Sequence, residues 1–193
     1  GQTTEAEGPD ALWALLLTAH TPEAPLSASP YQGGWIGFVG YDQGRESPAT
    51  GNVPVFPTAL LGDYRRVVFI DHQRETAELV TLSGYSGPLD DPKVIIRECQ
   101  VGHTPRPFEL LQDFVALTPK ARYLDDVARI KDYLQAGDCY QVNYAQAFRA
   151  RCAGSGAEAM QRLLRLTQAP HAAWMLAPEG EILSLSPELF LSI

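Results

Sequence analysis

The clearest repeating pattern in the chain is the helical spacing of apolar residues over positions 124–136. Apolar side chains recur three and four positions apart, which is typical of a helix with one buried face. The polar residues of this stretch fall on the other side: Asp125, Asp126, Arg129 and Asp132. Gly137 follows directly, where glycine commonly ends a helix in the left-handed conformation. The pattern predicts a helix that ends at residue 136 and whose acidic side chains point away from the core.

An alternation with a period of two follows this helix over residues 139–148. One side of the alternation is apolar and carries Tyr140, Val142, Tyr144 and Phe148. The other side carries the amides Gln141 and Asn143, so we predict a strand with one apolar and one polar face. Two amides on a strand can bind a polar ligand or pair with neighbouring strands, and the second role is the more common one.

Further elements are predicted on both sides of this region. Residues 33–45 alternate glycine with bulky apolar residues and indicate a strand that is buried on both faces. Two hairpins are expected, one over 66–70 and 77–82 around a polar turn, and one over 172–176 and 181–185. Helices are expected over 11–19, 93–100 and 158–168, and a Pro/Gly loop over 46–58. Hairpins with intervening helices indicate an α+β fold with antiparallel sheets.

Composition narrows the class of protein. The chain has 193 residues, is 45% apolar and carries a formal net charge of −8. This length is enough for one well-buried domain, or for one and a half small ones, and we predict a sub-boundary near residue 118. The acidic balance argues against nucleic acid as a partner, since phosphate binding needs clustered cations. The longest apolar run, over 11–19, is about half of a bilayer span, so no membrane partner is expected.

The thiols and the chain ends add two expectations. Three cysteines without metal-ligand spacing indicate reduced thiols in a cytoplasmic protein, and no metal site is predicted from spacing. The sequence ends on an apolar, strand-like stretch, and exposed edge strands of this kind invite aggregation. We therefore expect this chain to be part of a longer protein.

Four stretches together carry a resemblance to a known family: residues 33–45, 70–74, 133–143 and 182–188. The specific one is Ala-Gly-Asp-Cys-Tyr-Gln-Val-Asn, which ends at Asn143. In order and spacing these stretches resemble the chorismate-utilising enzymes, and within them the branch of aminodeoxychorismate synthase component I. The resemblance covers residues 31–193 and implies an α+β fold of layered antiparallel β-sheets with outer helices. Residues 1–193 would then be the amino-terminal part of a single large domain, incomplete in this chain.

The resemblance also implies an activity. Enzymes of this branch aminate chorismate with ammonia to 4-amino-4-deoxychorismate, which feeds 4-aminobenzoate and folate, and they use Mg²⁺. A glutamine amidotransferase, component II, supplies the ammonia. The glutamate of the family's Ser-Pro-Glu motif, here Glu188, assists the departure of the 4-hydroxyl group of chorismate. Pro170 matches one position of a tryptophan pocket that some members possess, but His171 and Ala172 differ from the family there.

The chain departs from the family pattern at two arginine positions. Ala147 stands where the family has the arginine of Gln-Arg-Phe, and Leu189 where it has the arginine after Ser-Pro-Glu. These arginines either pair within the scaffold or orient the catalytic glutamate, and we favour the scaffold role. The family's catalytic lysine and its Mg²⁺ ligands belong to a region after residue 193, so we expect this segment to be inactive alone.

Two other functions are also compatible with these residues. One is anthranilate synthase component I, a sister enzyme that lacks the catalytic lysine. The other is a non-catalytic module that binds an aromatic ligand or docks the glutaminase. The intact Glu188, Gln141 and Asn143 argue against a non-catalytic module, whereas the changes at 147 and 189 argue mildly for it.

Overall fold

The computed structural model describes residues 34–41, 57–81 and 106–191, together with the single helical positions Ala14 and Lys93. Three predicted elements lie almost wholly outside the described residues: the helices over 11–19 and 93–100 and the loop over 46–58. Of these elements, the structure describes Ala14, Lys93 and residues 57–58. The chain divides into two compact units. The first comprises Gly1–His103 and Ala173–Ile182, and the second Thr104–Ala172 and Leu183–Ile193. The single large domain with a sub-boundary near residue 118 stays a prediction.

The first unit contains two antiparallel strand pairs. β1 (Gly34–Val39) pairs with β2 (Ala59–Tyr64), with Gly34 opposite Tyr64 and Val39 opposite Ala59. β3 (Arg66–Asp71) pairs with β4 (Thr76–Thr81), which confirms the predicted hairpin. The Asp71 carboxylate accepts hydrogen bonds from the backbone N–H groups of Gln73 and Arg74, and this closes the turn.

The glycines of β1 have a packing role. A Cβ atom at Gly37 would collide with the backbone carbonyl of Leu60 on β2. Gly37 therefore lets the two backbones come close, as expected for a glycine within a strand. The predicted burial of both faces of this strand is wrong for this chain, since Ile36 and Val39 are 42% and 52% exposed. The physical reason is that β1 contacts a neighbouring strand on one side, while its faces are only partly covered by described residues.

The second unit contains both of the helices whose full bounds the structure describes. α1 (Lys120–Ala136) begins one turn before the predicted start and ends as predicted, with Gly137 in the left-handed conformation at φ 81°. α2 (Gly156–Thr167) ends at Gln168, which adopts the same conformation at φ 49°. Ala159 and Met160 on α2 are buried and anchor it in this unit.

Short strands lie before α1 and between α1 and α2 in the second unit. β5 (Glu109–Leu110) pairs with β8 (Cys152–Ala153), and β6 (Val115–Ala116) pairs with β7 (Phe148–Arg149). The strand predicted over 139–148 is wrong, because residues 139–147 are irregular and only Phe148 lies in a strand. A strand needs a hydrogen-bonded neighbour, and no strand of the described residues lies along 139–147.

The last element is the predicted hairpin, which the structure confirms and extends. β9 (His171–Ala177) pairs with β10 (Gly180–Ser186). Residues 173–182 of this hairpin belong to the first unit, where Trp174 and Met175 help to line a groove of about 700 Å³ together with residues of β1, β2 and β3. This groove is largely apolar, as its lining by Ile36, Leu60 and Val67 indicates.

Little apolar surface is buried in the described residues. Val80, Ala159 and Met160 are the buried hydrophobic side chains among them, while Phe190 is fully exposed. Large exposed apolar areas of this kind normally mark surfaces that contact further protein. In the described part of the chain, no helix is both long enough and apolar enough to cross a membrane.

Candidate functional site

Glu188 lies in a tight turn directly after β10. The hydroxyl of Ser186 donates a 2.9 Å hydrogen bond to the carbonyl oxygen of Glu188. The same hydroxyl accepts a 3.4 Å hydrogen bond from the Glu188 backbone N–H. Pro187 between them cannot donate to a strand and ends β10 here. The turn therefore fixes the backbone of Glu188 and leaves its carboxylate exposed.

Gln141 and Asn143 lie in the irregular segment 139–147, and both side chains are exposed. They are not on the regular strand face that was predicted for them. Both belong to the second unit, as does Glu188. Among the described residues, no hydrogen bond joins the Glu188 carboxylate to either amide. The structure thus places the three predicted site residues in one unit without joining them.

One side chain in the middle of this segment reaches the helix α1. Tyr144 donates its phenolic O–H to the Oδ2 atom of Asp126 over 2.6 Å. Arg122, one helical turn before Asp126, donates its Nε–H to the same oxygen over 2.8 Å. The Tyr144 ring stacks on Tyr123, with ring centroids 5.3 Å apart and an interplanar angle of 28°. Together these contacts hold Tyr144 against α1.

The charges of this cluster shift its pKa values in consistent directions. The hydrogen bond from Arg122, followed by the one from Tyr144, lowers the pKa of Asp126. The hydrogen bond that Tyr144 donates to Asp126 raises the pKa of the Tyr144 hydroxyl. The hydrogen bond that Arg122 donates to the same carboxylate raises the pKa of Arg122. Each pKa shift favours the ionised carboxylate of Asp126 or the protonated form of the group that donates to it. The cluster is therefore intact at neutral pH.

Sequence reasoning missed this cluster. Asp126 was predicted to point away with the other acids of α1, which is wrong, because Tyr144 covers that side of the helix. The Arg122–Asp126 spacing of four residues was a readable signal for an ion pair. The contact with Tyr144 spans 18 residues through an irregular segment, and no periodicity predicts a contact of that kind.

The two replaced arginine positions have different surroundings. The carbonyl of Ala147 accepts a 2.8 Å hydrogen bond from the N–H of Leu117, next to the β6–β7 pair. Its side chain takes no part in that bond, so alanine satisfies the backbone pairing. Leu189 is 55% exposed directly after Glu188. Neither replacement disturbs a hydrogen bond of the Ser186–Glu188 turn.

Pro170, the predicted remnant of a tryptophan pocket, lies exposed in the turn between α2 and β9. The left-handed Gln168 ends α2 just before it. Nothing in its described surroundings tests the assignment to a pocket, which stays a prediction.

The metal-ligating side chains of the described residues are scattered. Among these residues, no group of three or more His, Cys, Asp or Glu side chains could hold a metal ion.

The family follows from a comparison of the sequence with known proteins. The chorismate binding enzyme family matches residues 2–193. This chain belongs to that family. It is similar to aminodeoxychorismate synthase component 1 of Klebsiella aerogenes, with 33% identity over 100% of this chain and 43% of that protein. The corresponding protein of Escherichia coli is 32% identical over 84% of this chain and 36% of its own length.

A solved structure agrees with the fold. Anthranilate synthase component I from Streptococcus pneumoniae superposes with a TM-score of 0.70 and 21% identity, covering 93% of this chain and 44% of that protein. This likeness shows the fold, which is the predicted α+β arrangement of antiparallel sheets and helices. The chain spans less than half of the length of the relatives it matches.

Proposed function

We propose that this chain is the amino-terminal part of an aminodeoxychorismate synthase component I, which aminates chorismate with ammonia. The observation that carries the proposal is the 33% identity to such a component along the whole chain. The intact Ser186-Pro187-Glu188 turn, which presents an exposed carboxyl group, supports it. The reaction replaces the 4-hydroxyl group of chorismate by an amino group and releases water.

Glu188 is the acid in this proposal. Hydroxide is a poor leaving group, and a proton donated to it in the transition state lowers the barrier to its departure. The two hydrogen bonds with Ser186 involve only the backbone atoms of Glu188, so the carboxyl group stays available to the substrate. Gln141 and Asn143 are the polar groups that we assign to chorismate, because amides can both donate to its carboxylates and accept from its hydroxyl group.

The partners and the metal belong to the same proposal. A component II glutamine amidotransferase supplies ammonia, and Mg²⁺ is held by residues outside the described part of the chain. Bound there, the metal would neutralise carboxylate charge on chorismate. The compartment that we propose is the cytoplasm, and the pathway is that of 4-aminobenzoate and folate.

The test uses the full-length protein with chorismate, Mg²⁺ and an ammonium salt, so that no amidotransferase is needed. We expect an aminated product that keeps the enolpyruvyl side chain, identified by mass. Anthranilate is aromatic and lacks that side chain, so release of pyruvate in step with product would assign the sister activity instead. Binding of chorismate without any product would favour the non-catalytic module.

A further inference from the structure

The segment 139–147 is fixed at its two ends by backbone hydrogen bonds. Before it, the N–H of Asp138 donates to the carbonyl of Tyr133 over 3.0 Å. At its far end, the carbonyl of Ala147 accepts from the N–H of Leu117 over 2.8 Å. Between these points, no strand of the described residues pairs with the segment. Among the described residues, the contacts that hold the middle of this segment are therefore made by side chains.

Tyr144 provides such a contact. Its hydrogen bond to Asp126 is 2.6 Å long and ends on an ionised carboxylate, and charge-assisted bonds of this kind are stronger than neutral ones. The Asp126 side chain is 17% exposed, so it is partly covered by its neighbours. Arg122 holds the same carboxylate oxygen, and Tyr123 supports the ring. Tyr144 is thus held by Asp126 and Tyr123, and Arg122 holds Asp126 in turn.

We propose that Tyr144 is a positioning residue, whose hydrogen bond to Asp126 holds the segment that presents Gln141 and Asn143 to chorismate. The inference rests on the proposed function for the identity of the substrate. Tyr144 directly follows Asn143 in the chain, so a displacement of its ring moves the backbone of that amide. Loss of the bond releases the segment without removing any group that contacts chorismate.

The first experiment measures steady-state kinetics of the full-length protein with ammonium salt and varied chorismate. Tyr144→Phe keeps the stacked ring and removes the hydroxyl donor, while Asp126→Ala removes the acceptor. We expect each to raise the KM for chorismate about five- to tenfold, as for the loss of about one hydrogen bond, and to leave kcat within about twofold. The double variant should be no worse than either single one, because both remove the same bond.

Matched controls separate positioning from general damage. Tyr133→Phe removes a hydroxyl that lines the same hollow of about 270 Å³ but bonds no described residue. Glu158→Ala breaks an Arg–carboxylate pair of the same four-residue spacing on α2. Both variants should stay within about twofold of the wild-type KM, since neither removes the Tyr144 hydrogen bond.

Hydrogen exchange gives a second reading that needs no turnover. In the full-length protein, amides of 139–147 should exchange faster in Tyr144→Phe than in Tyr133→Phe, with the α2 amides unchanged. If the wild-type protein is active and Tyr144→Phe matches Tyr133→Phe in both KM and amide exchange, the positioning role alone is overturned. Wild-type protein that does not aminate chorismate would instead overturn the proposed function, and with it the substrate named here.

Discussion

Trp174 and Glu181 are joined across the β9–β10 hairpin by a 2.8 Å hydrogen bond from the indole N–H to the carboxylate. Trp174 also lines the groove of about 700 Å³ in the first unit, so the bond fixes an aromatic ring at an apolar surface. Indole N–H groups at partly covered positions usually find a partner of this kind.

We expect Trp174→Phe to lower the free energy of unfolding of the full-length protein by about 1 kcal/mol, because it removes one hydrogen bond and part of an apolar ring. Urea-induced unfolding followed by far-ultraviolet circular dichroism measures the change. Glu181→Gln keeps an acceptor oxygen and should lose less than half as much. A larger loss in Glu181→Gln than in Trp174→Phe would contradict the importance of this hydrogen bond.

Gly154 precedes α2 in a position that only glycine fits. Its φ is 99°, and a Cβ there would collide with the backbone of Pro107 and Phe108. The adjacent Ser155 N–H donates to the carbonyl of Arg106 over 3.1 Å, which holds the two backbones together. The collision cannot be relieved by turning a side chain.

Gly154→Ala should therefore destabilise the protein by about 3 kcal/mol or more, since left-handed strain and overpacking add. Gly137→Ala is the matched control, because Gly137 has φ 81° but a Cβ added there would meet no other atom within 4 Å. It should cost only about 1–2 kcal/mol, from the strain alone. Thermal unfolding of the two variants tests the difference, and equal melting temperatures would contradict it.

The sequence was informative wherever neighbouring residues determine structure. The hairpin over β3 and β4 was predictable from its period of two and its polar turn, and the end of α1 from Gly137. β2 was missed, because Ala59–Tyr64 mixes apolar residues with Gly62 and Asp63 and shows no alternation. Its pairing with β1 becomes visible only when the two stretches are brought together.

The site was predictable only in part. The Ser-Pro-Glu motif is compatible with the turn in which Glu188 lies, because proline ends a strand and serine often bonds the backbone nearby. The alternation over 139–147 predicts a strand, but the segment is irregular. The same alternation of apolar and polar residues is compatible with an irregular segment that one tyrosine holds in place. Whether alternation becomes a strand depends on a neighbouring strand, which local sequence does not reveal.

The Asp126 cluster predicts a defined pH dependence of stability. Arg122 and Tyr144 depress the pKa of Asp126 below its usual value of 3.8 in the folded state. The stabilising contribution of this carboxylate is therefore complete above that usual value and is lost as the pH falls through the depressed one. The raised pKa of Tyr144 acts at the other end, with its contribution complete below the usual value of 10.0 and lost as the pH rises through the raised one.

Full-length wild-type protein and Asp126→Asn should thus differ most in stability near neutral pH and converge as the pH falls below about 4. Urea unfolding at several pH values measures the difference. Added salt should reduce the difference at neutral pH, because the pair of Arg122 and Asp126 is partly exposed to solvent. A difference that stays constant down to about pH 2 would show that the charge of Asp126 contributes nothing.

Glu188→Gln tests the proposed acid most directly. Glutamine has nearly the same shape but cannot protonate a departing hydroxyl group, so kcat in the full-length protein should fall by about 10²- to 10⁴-fold. Stability should be unchanged, because the hydrogen bonds of this turn join Ser186 to the backbone of residue 188 and do not involve its carboxylate. Glu179→Gln is the matched control, since Glu179 is an exposed carboxylate in the β9–β10 turn. It should keep the wild-type kcat. If Glu188→Gln has the same kcat as Glu179→Gln, Glu188 is not the acid of the mechanism. If Glu188→Gln loses turnover but unfolds as the wild type does, the carboxyl group acts in chemistry and not in folding.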